Sequence, residues 1–145
     1  MWRALSRVGT AVLVDRVVRP TYNIDMTEKV ALQSVDYARL AVDVASEGQA
    51  SDVTMLDIRE FSAFADYFVI LTAESTRQIE NLREQIEQDL ETSGAVLHHR
   101  EGTPQGGWVL LDFVDVVVHL FAPDEREYYH LEGAWPGATE VVRLQ

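Results

Sequence analysis

The strongest constraint in the chain is residues 66–72, DYFVILT, where five consecutive apolar side chains stand between polar neighbours. Successive side chains of a β-strand point to opposite faces, so such a run is stable only where a sheet is covered on both sides. These residues therefore predict a central strand, with helices supplying the cover.

Helical spacing appears where that cover is needed. Over residues 27–47, Ala31, Val35, Ala38, Val42 and Ala45 recur on one face, and Gly48 is a stop signal. Ser75 and Gln78 form a capping-box pattern ahead of the stripe Ile79, Leu82, Ile86 and Leu90, which Gly94 closes. Residues 52–58 read as a short strand, 95–100 as another, 101–107 (EGTPQGG) as a turn-rich loop, and 108–113 with 116–121 as a hairpin. Pro123 and Asp124, with Glu127 three positions beyond Asp124, open a last helix running to about Trp135, where Pro136 and Gly137 stop it. The tail beyond Gly137 has no readable pattern. The expected fold class is α/β, a mixed five-stranded sheet flanked by helices in the order α-β-β-α-β-β-β-α, with a right-handed crossover through the second helix. That order is nucleotidyltransferase-like.

Length and charge narrow the function. A chain of 145 residues suits one hydrophobic core, and residues 26–145 are expected to form a single domain. No apolar run approaches the ~20 residues of a membrane-spanning helix. There is no cysteine, which removes disulfides and thiolate chemistry. Acidic residues number 24 against 12 basic, a net charge of -12. Residues 1–25 carry Arg3, Arg7, Arg16 and Arg19 against Asp15 and Asp25, which leaves 8 basic and 22 acidic residues for the rest. Such a body is repelled by bare phosphate backbone, so no direct nucleic-acid dependence is expected, and any contact with a nucleoprotein falls to a basic protein. The arginines of residues 1–25 admit an organellar transit peptide. Asp15 and Asp25 are atypical of one and favour a disordered extension, or sequence upstream of a start at Met26.

Catalytic patterns are weak. His98 and His99 are adjacent on a strand and point to opposite faces, so they cannot share a metal ion, and His119 and His130 lie on other elements. Asp112 and Asp115 are a conceivable magnesium-binding pair for nucleotidyl transfer, but their spacing is three rather than two, and Ala73-Glu74-Ser75 offers an acid where a phosphate-gripping glycine is wanted. There is no glycine-rich phosphate loop and no nucleophile elbow. No enzyme activity, metal or cofactor is expected.

Binding has more support. Trp108, Leu110 and Asp112 share one face of their strand, and Val109, Leu111 and Phe113 share the other. If the Val109 face is core, an apolar, aromatic patch rimmed by acid faces outward, as at protein interfaces. In the alternative, Trp108 only caps the core beside Gly106 and Gly107. Of the pairs Tyr67-Phe68 and Tyr128-Tyr129, at least one residue each is expected in the core, and an exposed one would extend the patch; the sequence does not distinguish which.

Several blocks carry a resemblance: residues 52–58 (DVTMLDI), 65–71 (ADYFVIL), 76–79 (TRQI), 107–112 (GWVLLD), 115–119 (DVVVH), Phe121, and 126–132 (REYYHLE) followed by Trp135. Together, over about residues 30–137, they resemble the ribosomal silencing factor family, also called the Iojap family. The resemblance implies a cytoplasmic bacterial translational repressor. It would bind ribosomal protein fourteen of the large subunit, block joining of the small subunit when nutrients are scarce, and tend to form homodimers. An organellar ribosome assembly factor is the alternative within the same resemblance. The positions implied at the contact are Trp108, Leu110 and Asp112, then Asp66, Tyr67 and Asp115. Two residues depart from the family's pattern. Val114 stands where glycine usually precedes DVVVH, and a β-branched residue fits a positive φ badly, so a turn of another type or greater length is expected. Glu74 makes the approach to the second helix more acidic.

Overall fold

The computed structural model describes residues 31–145, together with a two-residue antiparallel ladder, Arg7–Val8 with Ala11–Val12, in an N-terminal unit of its own. The expected helix start at Thr27, the start at Met26 and the rest of the N-terminal extension lie outside the described residues.

From Leu32 onward the elements are α1 (Ser34–Glu47), β1 (Ser51–Asp57), β2 (Tyr67–Thr72), α2 (Thr76–Thr92), β3 (His99–Thr103), β4 (Trp108–Asp112), β5 (Val116–Phe121), α3 (Pro123–Tyr129), a 3-10 turn (Leu131–Ala134) and β6 (Thr139–Leu144). The sheet order is β3-β4-β5-β2-β1-β6. β2 is central, as its apolar run requires, and it pairs in parallel with β5, Tyr67 opposite Val116 and Thr72 opposite Phe121. Every other pairing in this sheet is antiparallel.

One face of the sheet carries α1 and α2. Val53 and Met55 from β1, Tyr67, Val69 and Leu71 from β2, Val109 and Leu111 from β4, and Val116, Val118 and Leu120 from β5 pack there against both helices. Helix α1 contributes small residues, Ala38, Ala41 and Ala45, each fully buried, so its backbone lies close to the strands. Helix α2 follows its sequence pattern: the Ser75 hydroxyl accepts the Gln78 amide at 3.1 Å, and Ile79, Leu82, Ile86 and Leu90 are its buried stripe. The Gln78 side chain reaches one residue past the cap, its Oε1 accepting from the Glu74 amide at 2.7 Å. Gly48 leaves room for Leu82 where the two helices meet: a Cβ there would stand 2.4 Å from Leu82 Cδ2, and that side chain would have to shift.

Three expectations change. The sheet has six strands, because β6 in the unreadable tail pairs antiparallel with β1. An edge strand with only Val141 and Val142 partly buried needs little apolar alternation, which is why its sequence is silent. The strand expected at 95–100 lies at His99–Thr103, wholly exposed, and takes in part of the expected loop. The last helix ends at Tyr129, not near Trp135, because His130 adopts a left-handed conformation (φ 44) and the chain continues as a 3-10 turn.

That early stop folds the closing segment over part of the second face. Arg126, 7% exposed, is its anchor. Its guanidinium donates to the Asp52 carbonyl at 2.8 Å, to the Thr72 hydroxyl at 2.9 Å, to the Thr54 hydroxyl at 3.3 Å and to Glu132 Oε2 at 2.6 Å. Burial alone would raise the Glu132 carboxyl, but a backbone hydrogen bond and then Arg126 hold it below the ordinary range. A smaller core forms beside this anchor from Leu56, Ile58, Ala65, Ile70 and Phe121, with Trp135 and Leu131 laid against it.

Candidate functional site

The second face is read directly from the register. Trp108 stands opposite Phe121, Leu110 opposite His119, and Asp112 opposite Val117, while across β5 His119 neighbours Ile70 and Val117 neighbours Phe68. Aromatic cover reaches the two ends of this array. Tyr129 meets Trp108 with ring centroids 4.6 Å apart, and Trp135 meets Phe68 edge-on at 4.8 Å. Leu110, Val117 and Phe68 stay half-buried, a strip of apolar surface running across three strands. Asp112 stands at its end.

Beneath the strip lies His119, 3% exposed. Its Nδ1 accepts the Trp108 indole N–H at 3.2 Å, and its Nε2 has no hydrogen-bond partner. Burial pushes the imidazole pKa down to about 3. The ring is therefore neutral, carries its proton on Nε2, and fixes the plane of Trp108. The tryptophan combines both sequence readings: it lies opposite the Val109 face, yet it caps the smaller core against Phe121 at 4.9 Å.

The remaining expected residues gather at one end of the sheet, with one exception. The amides of Asp66 and Tyr67 both donate to the Asp115 carbonyl, at 2.8 and 3.2 Å, which fastens the entrances of β2 and β5 together. Asp66 also accepts the Ser34 hydroxyl at 2.7 Å, and Asp115 is exposed. Tyr67 is the exception, because its side chain is 5% exposed and packs on the helix face, away from Trp108. Its neighbour Phe68 takes the position on the opposite face, beside Val117, as alternation requires.

The turn between β4 and β5 also differs from expectation. It keeps the positive φ, 77° at Val114, despite the β-branched side chain. The Asp115 amide donates to the Phe113 carbonyl at 3.0 Å, two residues back, a γ-turn of the rarer, strained hand. Asp112 Oδ1 accepts the Val114 amide at 2.7 Å and closes it. The carboxylate considered above as a magnesium ligand is thus occupied in holding a turn. Val114 itself is 51% exposed.

Sequence reasoning weighed His119 only as a metal ligand and did not assign Val117, His119 or Arg126 to this face. Alternation through residues 116–121 places Val117 and His119 beside Leu110 once the hairpin is accepted, so that signal was present. Nothing in the sequence marks Arg126 as buried.

The geometry defines a class, a small mixed α/β domain whose second sheet face keeps an open apolar strip with the Asp112 carboxylate at its end. Residues 31–145 match the family model described as ribosomal silencing factor during starvation, and this chain belongs to that family. It is 34% identical over 110 residues to a ribosomal silencing factor of Halalkalibacterium halodurans, spanning 76% of this chain and 94% of that protein. It is 33% identical to the chloroplastic protein Iojap of Zea mays over 75% of this chain and 47% of that one. A crystal structure of a Chromobacterium violaceum protein matches with a TM-score of 0.70 at 28% identity, covering 77% of this chain and 94% of the other. No helix among the described residues is long and apolar enough to cross a membrane.

Proposed function

We propose that this chain is a translational repressor of the bacterial cytoplasm that binds ribosomal protein fourteen on the large ribosomal subunit and sterically blocks joining of the small subunit when nutrients are scarce. Family membership supports the ribosomal role. The observation that carries the docking mode is the half-buried strip Leu110, Val117 and Phe68, with Trp108 on one side and Asp112 on the other, on the sheet face that the helices leave open. Such a strip loses water on docking, and buried aromatic and aliphatic anchors of this type supply most of the affinity of protein interfaces. Steric exclusion needs no bond chemistry, only a bound body of sufficient bulk. With a net charge of -12, the chain approaches a basic ribosomal protein favourably and is repelled by the surrounding RNA.

The test is sedimentation of the full chain with purified large subunits at low salt, followed by light scattering of subunit reassociation. Co-migration with large but not small subunits, and a dose-dependent fall in 70S formation, are expected. Failure to co-migrate, or normal subunit joining with the chain bound, refutes the proposal. Leu110→Asp places a charge in the middle of the strip and should abolish binding with the fold intact, since Leu110 is already part-exposed.

A further inference from the structure

At the sheet end where β2 and β5 begin, two connections lie side by side, residues 58–66 and 113–115, tied by the bonds of Asp66 and Tyr67 to the Asp115 carbonyl. The first is a built loop. Phe61 and Ser62 amides both donate to the Ile58 carbonyl, at 2.9 and 3.0 Å, and the Ser62 hydroxyl accepts the amides of Phe64 and Ala65, at 3.0 and 3.3 Å. Ala65 is buried in the smaller core. Between these fixed points Phe64 is held out into solvent, 88% exposed, the most exposed large apolar side chain among the described residues.

The second connection makes the same choice by a different means. Positive φ costs a non-glycine residue on the order of 1–3 kcal/mol, more readily tolerated where the side chain is used. Val114 takes that conformation and presents half of its surface to solvent beside Asp112 and Asp115. The two connections and the strand ends they join carry Asp57, Glu60, Asp66, Asp112 and Asp115 against a single base, Arg59. Arg59 is already taken, its guanidinium bonded in two places to Asp57 at 3.0 and 2.7 Å. Phe64 and Val114, with the part-exposed Phe61 between Arg59 and Phe64 in sequence, therefore stand at a sheet end where Asp57 alone among these carboxylates is paired with that base.

We infer that Phe64 and Val114 form a second, loop-borne contact for the basic protein that docks on the strip, with Asp66 and Asp115 receiving its lysine or arginine side chains. The inference rests on the proposed docking of the second sheet face and extends it around the sheet end, since Asp112 belongs to both surfaces. A basic protein surface is the occupant that fits: an apolar partner would leave the carboxylates desolvated and unpaired, and an RNA backbone would be repelled by them. The arrangement also makes this end a specificity element, because the charges steer the encounter and the two apolar groups report shape.

The experiment measures binding of the full chain to large subunits for the wild type, Phe64→Ala, Val114→Gly and Asp115→Lys, with Glu91→Lys on the exposed side of α2 as a charge control. Melting temperatures are measured alongside. Phe64→Ala should weaken binding roughly tenfold, and Asp115→Lys should slow association with a changed salt dependence. Val114→Gly should weaken binding at least about threefold while its melting temperature holds or rises, which a purely structural valine would not do. Hydroxyl-radical oxidation of Phe64, read by mass spectrometry in the wild-type complex, gives a measurement independent of any variant, and protection on binding is expected. If the wild type binds while the three variants bind equally well and Phe64 stays oxidisable, the sheet-end contact is overturned and the strip docking stands. If the wild type does not bind, both fall.

Discussion

His119 makes the stability of this fold acid-labile in a pH range where carboxylates do not yet matter. The ring is 3% exposed, neutral, and held at a pKa of about 3 against an ordinary value of 6.5. An unfolded chain binds a proton at this imidazole below pH 6.5, whereas the folded chain does not until far lower. The stabilisation is complete above pH 6.5 and is lost as pH falls from 6.5 toward 3. The slope is about 1.4 kcal/mol per pH unit, so some 2 kcal/mol disappears between pH 6.5 and 5. Against a total of about 5–15 kcal/mol for a domain this is a readable change. The assay is urea unfolding of the full chain at half-unit steps from pH 7.5 to 5, followed by tryptophan fluorescence. His119→Phe keeps a ring of similar shape and should flatten the profile over that range. A wild-type profile already flat between pH 6.5 and 5, or an NMR titration of His119 with a midpoint near 6.5, refutes the reasoning.

Other perturbations separate the anchors of the second face. Arg126→Met leaves the Glu132 carboxylate and the Thr54 and Thr72 hydroxyls without their common donor, and should cost about 3–5 kcal/mol in chemical denaturation. Glu132, held below the ordinary carboxylate range, adds stability that is present above its unfolded pKa and is lost as pH falls below that value. The wild type should therefore lose stability more steeply than Glu132→Gln in the strongly acid range. Trp108→Ala removes ring contacts with Phe121 and Tyr129 and the bond to His119; it should lower stability by about 2–4 kcal/mol as well as weaken binding, so Leu110→Asp is the cleaner test of docking. Gly102→Ala places a Cβ 2.0 Å from the Trp108 carbonyl at a positive φ of 83°, and hydrogen exchange should report loss of the β3–β4 ladder.

How far the sequence reveals the fold varies with the type of signal. The run at Tyr67–Thr72, the stripe of α2 and the Ser75 cap are local patterns, repeated every two or nearly four residues, and the structure keeps each of them. β6 has no such pattern because an edge strand buries little, and its place is set by pairing with β1. The end of α3 depends on a single left-handed residue, His130, which no periodicity announces. Alternation located Trp108, Leu110 and Asp112 together but left open which of Tyr67 and Phe68 joins them, because the phase of β2 is invisible when both of its faces are apolar; Tyr67 entered only through the family resemblance, and it packs on the helix side. Val114 shows the limit of a local rule: β-branching argues against positive φ, but the Asp112 carboxylate and the clamp on Asp115 impose it.

The parallel pairing of β2 with β5 has a consequence for the chain while it is being made. Tyr67 is registered with Val116, 49 positions later, whereas β1, its other neighbour, precedes it directly. At about 5–20 residues per second, roughly 2–10 s pass between synthesis of one strand and of its parallel partner. For that interval the nascent strand has an open edge and five apolar side chains awaiting α2 and the β4–β5 hairpin, a template for mispairing. A free copy completes its sheet only after nearly the whole domain has left the ribosome, so truncation anywhere before Phe121 should yield an aggregating fragment rather than a smaller folded one.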